Sequence, residues 1–308
     1  MSPDRRGTLF VTAAAVAWST TGLFTRALDL DAGTMLVWRG VFGALGLVVF
    51  LGVVQGRGGL AGFARLGRAG WLYAVISGAS MLCFIGSLRL TTVAHVAIIY
   101  AVVPFLAAGL GWVVLKDRPG LPAMVASGAA LTGAVVMVGF GGDGGALGDL
   151  MALAMTFGMA ALMVIARARP GIPTIPAATV SALLAAAAAL PFAAALTVTA
   201  PQALGLAAFG LVNSTAGLAL FLLGSALIAP VKTALVTALD APLAPLWVWA
   251  IYAETPSGAT VAGGVIVMAA VVGYVLRDQP RPRQAPVTSP AAAPISRAKP
   301  CPRKGACP

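Results

Sequence analysis

The stretch VAHVAIIYAVVPFLAAGLGWVVL, residues 93–115, decides the fold: it runs without one Asp, Glu, Lys or Arg. A helix crossing a hydrocarbon core of roughly 30 Å needs about 20 apolar residues, and this run supplies them. Working outward, the same reading gives Gly7–Leu28, Ala32–Val54, Trp71–Leu88 and Leu121–Phe140 in the first half of the chain. The second half gives Leu147–Ala166, Ile175–Val198, Ala203–Leu227, Val231–Ala253 and Ser257–Leu276. Composition agrees, with 59% hydrophobic and 9% charged residues, where soluble domains carry about 25% charge. Transmembrane strands alternate apolar and polar positions over about 10 residues, and these runs do not. The expected fold is all-α, a polytopic membrane protein of ten transmembrane helices.

Charge bias orients it. With the N-terminus in the cytoplasm, Arg57, Arg65, Arg68, Lys116, Arg118, Arg167, Arg169 and Lys232 fall inside, and only Arg26 and Arg89 fall outside. Short-loop basic residues stay inside, so both termini are expected in the cytoplasm and the protein in the inner membrane of a bacterium. The net charge of +11 is inflated by the segment after Leu276, rich in Pro, Ala, Lys and Arg. That segment, 277–308, reads as a disordered tail without a core of its own, in contact with lipid at most and not with nucleic acid.

Near Lys116 the fourth span ends in Trp112–Leu115 with Asp117 before Pro119, and the ninth ends in Trp249–Ala253 with Glu254 before Pro256. A Gly-rich span follows each. Five crossings per half place the second half upside down relative to the first. The expected organisation is two inverted five-helix repeats, 1–140 and 141–276, the architecture of many secondary transporters with a site at the repeat interface.

The chain resembles the EamA-type members of the drug/metabolite transporter superfamily over roughly Gly7 to Leu276. The resemblance rests on Trp18–Ser19–Thr20 with Arg26, on Trp38–Arg39–Gly40, and on Pro104 followed by Asp117. In the ninth span it rests on Asp240–Ala241–Pro242 with Trp247, Trp249 and Glu254. Asp117 and Asp240 stand where the family more often has Glu. The resemblance implies a central cavity lined by spans one, three, four, six, eight and nine. It also implies alternating access and transport of small metabolites, often amino-acid export. Carriage of nucleotide-linked or cofactor-like solutes is the alternative within the superfamily.

Asp240 lies about 14 Å into its span, at the midplane, where a charge costs roughly 2.5–3.5 kcal/mol and faces a cavity or a partner. It shares a helical stripe with Thr233, Thr237 and Trp247. Two readings stay open: a substrate or coupling-proton carrier, or a buried carboxylate bonded to the bundle. Arg39 is nearly as deep, and either pairs with Asp240 or an anionic substrate group, or packs its span with Gly43 and Gly46. Ser80 of the third span, Asn213 of the eighth, and Trp18, Ser19 and Tyr100 are further candidates for a solute wall, each with a packing alternative. His95, the only histidine, begins the fourth span as a gate or as a satisfied interfacial side chain. Lys232, about 12 Å along the helix from Asp240, is expected to snorkel to the inner surface.

Absences narrow the class. One histidine cannot build His-Glu-x-x-His, and no Gly-x-x-x-x-Gly-Lys-Ser/Thr loop exists for a nucleotide. No cofactor and no metal are expected, and the chain is expected not to be an enzyme. Channel and scaffold remain the readings from other classes. The partners expected are a small-molecule solute, lipid and a coupling proton. Oligomeric state is not legible.

Overall fold

The computed structural model describes residues 2–139, 145–253 and 255–277, with the side chains of 54–58 and 93–94 left out. The tail from residue 278, Glu254 and the turn at 140–144 lie outside the described residues. Ten helices are long and apolar enough to cross a membrane. We number them α1 (Pro3–Leu28), α2 (Ala32–Leu60), α3 (Gly67–Leu90), α4 (Val93–Leu115) and α5 (Leu121–Val138). The second five are α6 (Ala146–Ala168), α7 (Thr174–Phe192), α8 (Ala200–Ser225), α9 (Pro230–Tyr252) and α10 (Gly258–Arg277). The all-α, ten-span expectation is borne out, and the span ends differ from it by a few residues.

Large apolar side chains face outward, as a lipid-facing surface requires; Val53 is 81% and Leu204 74% exposed. Ten crossings joined by short connections put the starts of the odd spans at one end of the bundle and those of the even spans at the other.

Four spans are interrupted, which the hydropathy reading did not anticipate. In α1 the helix stops at Ser19 and restarts at Thr21. In α8 residues Gly210–Gly217 form a π-helical segment, a local widening that recurs at functional sites. In α4 the break falls at Ala101 and Val102, between Val93–Tyr100 and Val103–Leu115. In α9 it falls at Ala238 and Leu239, between Pro230–Thr237 and Asp240–Tyr252. Proline explains the last two. Pro104 and Pro242 lack the N–H that would bond the carbonyl four residues back, at Tyr100 and Ala238.

The two broken spans share one plan. Val93 and Pro230, Tyr100 and Thr237, Val103 and Asp240, and Leu115 and Tyr252 are all 137 positions apart. Both end in a left-handed residue, Lys116 at φ 59° and Ala253 at φ 55°, again 137 apart. The packing partners exchange in the same way. Spans α3 and α6 pack together as α8 and α1 do, α2 and α8 as α7 and α3, and α4 and α6 as α9 and α1. Each of α5–α10, α2–α7 and α4–α9 pairs a span with its own counterpart.

The α5–α10 crossing depends on glycine. A Cβ on Gly133 would lie 2.8 Å from the Gly263 carbonyl oxygen, and one on Gly263 would lie 2.5 Å from the Met137 nitrogen. The bundle centre is filled by side chains of α1, α4, α6, α8 and α9, with Trp18 tilted on Phe221 at 5.0 Å and Met163, Ala160 and Ala234 around them.

Candidate functional site

The proline breaks of α4 and α9 interrupt regular helix geometry partway along each span, at the cost of a backbone hydrogen bond. Beside the α4 and α9 breaks is a cavity of about 110 Å³. A dry apolar cavity of comparable size, about 150 Å³, accepts benzene, so this one is large enough for a small organic group. Its walls come from Tyr100, Ala101 and Pro104 of α4, from Ala130 and Met137 of α5, from Met163 of α6, and from Asp240 of α9. Among the described lining residues Asp240 is the only charged one. Its carboxylate accepts from the Ala241 N–H, and among the described residues no basic side chain lines the cavity with it.

This cavity meets the implied lining at α4, α6 and α9 only. Spans α5 and α10 line it, and α1, α3 and α8 do not. The physical reason is the centre of the bundle, where Trp18 and Phe221 occupy the volume that a central cavity would need.

The other candidate residues separate into two groups. Tyr100 lines the cavity with Asp240. Asn213 does not; it is 2% exposed and ties the π segment of α8 to the break in α1. Its amide Nδ2 donates to the Ala17 carbonyl at 3.0 Å and to Thr20 Oγ1 at 3.3 Å, and its Oδ1 accepts from Thr21 Oγ1 at 2.9 Å. Trp18 Nε1 donates to the backbone carbonyl of Asn213 at 3.0 Å. Trp247 Nε1 donates to Ser19 Oγ at 2.8 Å, and Ser19 Oγ donates to the Val16 carbonyl at 2.7 Å. These residues staple the α1 break to α8 and α9.

Thr237 and Thr233 are 2% and 0% exposed, and each hydroxyl donates to its own helix backbone, at Thr233 and Ala229. The break at Ala238 separates them from Asp240, so the expected stripe is not one continuous wall. Ser80 Oγ donates to the Ile76 carbonyl at 2.7 Å and packs on Gly158 of α6.

Arg39 forms no ion pair with Asp240. Its guanidinium lies 5.6 Å from the Phe209 ring centroid, and its Nε is buried without a partner. A cation over an aromatic face is attracted by the ring quadrupole, so Arg39 acts between α2 and α8. Lys232 does not snorkel. It is 3% exposed and its Nζ is 2.9 Å from Asp4 Oδ2 at the start of α1. His95 Nδ1 lies 3.1 Å from both carboxylate oxygens of Asp149 at the start of α6, and Thr91 Oγ1 donates to Asp149 Oδ1 at 2.6 Å.

Asp4 and the methionines of the cavity wall were not singled out in the sequence, and Asp149 reads there only as an outer-loop acid. First-turn acids at Asp4 and Asp149 are a recognisable signal, but their partners are 228 and 54 positions away, beyond any periodicity. No group of three or more His, Cys, Asp or Glu side chains able to hold a metal occurs among the described residues.

Comparison with known proteins gives three findings. Residues 5–139 match the EamA-like transporter family. No curated protein matches. A solved structure titled "Crystal structure of protein" is similar in fold at a TM-score of 0.75 and 19% identity, over 88% of this chain and 98% of that one. Residues 5–139 are thus similar to the EamA-like transporter family, and the ten long apolar helices are those of a multi-pass membrane protein.

Proposed function

We propose that the protein is a secondary transporter that moves small amino-bearing metabolites by alternating access, with amino-acid efflux as the leading case. The observation that carries this reading is Asp240, a carboxylate at a helix break in the middle of the membrane, facing a cavity whose other described walls are apolar or phenolic. An isolated charge at that depth is costly and is retained where it meets a solute or ion. A substrate ammonium matches Asp240, and the Ala, Val and Met wall suits an apolar side chain. The Val103 N–H, at the start of the second half of α4 and beside the cavity, supplies the partial positive charge that a substrate carboxylate needs.

The same lining supports a second reading, a simple apolar amine, because among the described residues no basic side chain lines the cavity. It also counts against a nucleotide-linked solute, whose phosphates need cationic partners. Residues 1–140 and 141–276 act in this account as two inverted repeats, in the inner membrane with the N-terminus inside. The register of 137 between α4 and α9 supports that division.

Counterflow in liposomes carrying the purified protein tests the proposal. The panel is neutral amino acids, primary amines and nucleotide sugars. Saturable exchange of amino acids with trans-stimulation is the expected result. Exchange of amines alone selects the second reading, and non-saturable flux of any solute contradicts a carrier.

A further inference from the structure

The first halves of α4 and α9 are held by matching polar contacts at opposite ends of the bundle. His95 is the third residue of Val93–Tyr100, and Lys232 is the third residue of Pro230–Thr237; the two are 137 positions apart. His95 meets Asp149 in the first turn of α6, and Lys232 meets Asp4 in the first turn of α1. Spans α4 and α6 begin at one end and α1 and α9 at the other, so one pair sits at each face.

A second observation repeats at both places. A Cβ on Gly148 of α6 would lie 2.6 Å from the Leu90 carbonyl carbon and from the Thr91 nitrogen. A Cβ on Gly7 of α1 would lie 2.8 Å from Leu227 Cβ and 2.7 Å from Ile228 Cγ2. Leu90 and Thr91 lead into α4, Leu227 and Ile228 lead into α9, and these too are 137 apart. At each end, the chain entering a broken span is seated on a glycine and then fastened by a contact between a nitrogen-bearing side chain and a carboxylate.

We propose that His95–Asp149 and Lys232–Asp4 are paired latches, one per membrane face, and that opening one while the other stays shut sets which face the cavity opens to. The proposal rests on the alternating-access reading above. Each latch is a positioning device that touches no solute. It acts on a two-state equilibrium, which shifts only by the difference in contact free energy between its states. Breaking one latch therefore biases the protein toward the state open at that end, and breaking the other biases it the opposite way. A contact that merely holds the fold together would loosen both ends alike.

The test uses the full chain in membrane vesicles, with Cys83, Cys301 and Cys307 changed to Ser and a single reporter, Ala238→Cys, on the cavity wall. A membrane-impermeant maleimide is applied from each side in turn. Asp149→Asn should raise the labelling ratio toward the α4-start face by about fivefold, and Asp4→Asn should lower it by a similar factor, as for a contact of moderate strength. The double variant should return the ratio close to that of the parent. Should Asp149→Asn fail to fold, His95→Gln opens the same latch and must shift labelling in the same direction. Shifts of the same sign at both latches, no shift at either, or a reporter reached from one side in every variant would each overturn the proposal. Labelling needs no solute, so a failed counterflow experiment counts against the transport reading and leaves the latch test standing.

Discussion

The spans α4 and α9 have the same skeleton and different side chains. Both run for 8 residues, break for two, and continue for 13 to a left-handed cap. At the first residue after the break α4 has Val103 and α9 has Asp240, an apolar and an acidic side chain on the wall of one cavity. At the latch α4 has a histidine where α9 has a lysine. The shared part is backbone geometry imposed by Pro104 and Pro242. The unshared part is chemistry: the cavity's acid is Asp240 of α9 and its phenol is Tyr100 of α4. One backbone plan, used in two spans, thus carries a carboxylate in only one of them.

The comparison breaks if the acid works equally well on either span. Asp240→Val should reduce flux by more than about tenfold, the scale of losing a charge contact made during transport. Moving the acid in Val103→Asp/Asp240→Val should leave flux low, because Val103, although it borders the cavity, packs its side chain into the cluster around Phe221. Restored counterflow in the double variant would show that the two breaks are interchangeable.

The shared crossing of α5 with α10 can be broken next. Gly263→Leu places atoms where the Gly133 and Met137 backbones stand, and overpacking of this kind costs about 1–3 kcal/mol or more. The expected result is a large drop in thermal stability in detergent. An unchanged melting temperature would mean that the helices separate easily.

Asn213 sharpens the distinction between site and staple. Asn213→Ala removes three hydrogen bonds at the α1 break, each worth about 0.5–1.5 kcal/mol net. Stability should fall while the affinity of the remaining folded protein for its solute stays near the parent value. A changed half-saturation concentration with intact stability would move Asn213 into the solute site.

The smallest effect is expected outside the spans, at Asp31. Partial burial pushes its pKa up, but hydrogen bonds from Thr34 and the Ala194 N–H outweigh that and leave it lowered. Thr34 N donates to Asp31 Oδ1 at 2.9 Å, capping α2. Asp31→Ala should cost about 1 kcal/mol, as for other N-caps. A lowered carboxylate stabilises above its unfolded pKa, and that contribution disappears as pH falls through the folded value. The difference between Asp31→Ala and the parent should therefore vanish in strong acid. A difference that persists there would assign the loss to packing.

The sequence disclosed the solvent of the fold and much of its order, because apolar length is a local property. It disclosed Asp240 because a lone midplane acid is conspicuous in hydropathy. It did not disclose the breaks, although Pro104 and Pro242 were visible, since a proline inside a span is compatible with a kink or an interruption. Nor did it disclose the cavity, which depends on Trp18 and Phe221 filling the centre from spans about 200 positions apart. Lys232 shows the limit most clearly. Measured along its own helix it has no acid within reach, and its partner Asp4 arrives from the other end of the chain.

Whether Asp240 is the charge that a solute meets can be read in one experiment, amino-acid counterflow by Asp240→Asn in liposomes at matched amounts of folded protein. The amide keeps the size and the hydrogen bonding of the side chain and removes its charge. The account predicts that saturable flux is lost while the variant remains folded and inserted. Full flux with the parent's half-saturation concentration would contradict it.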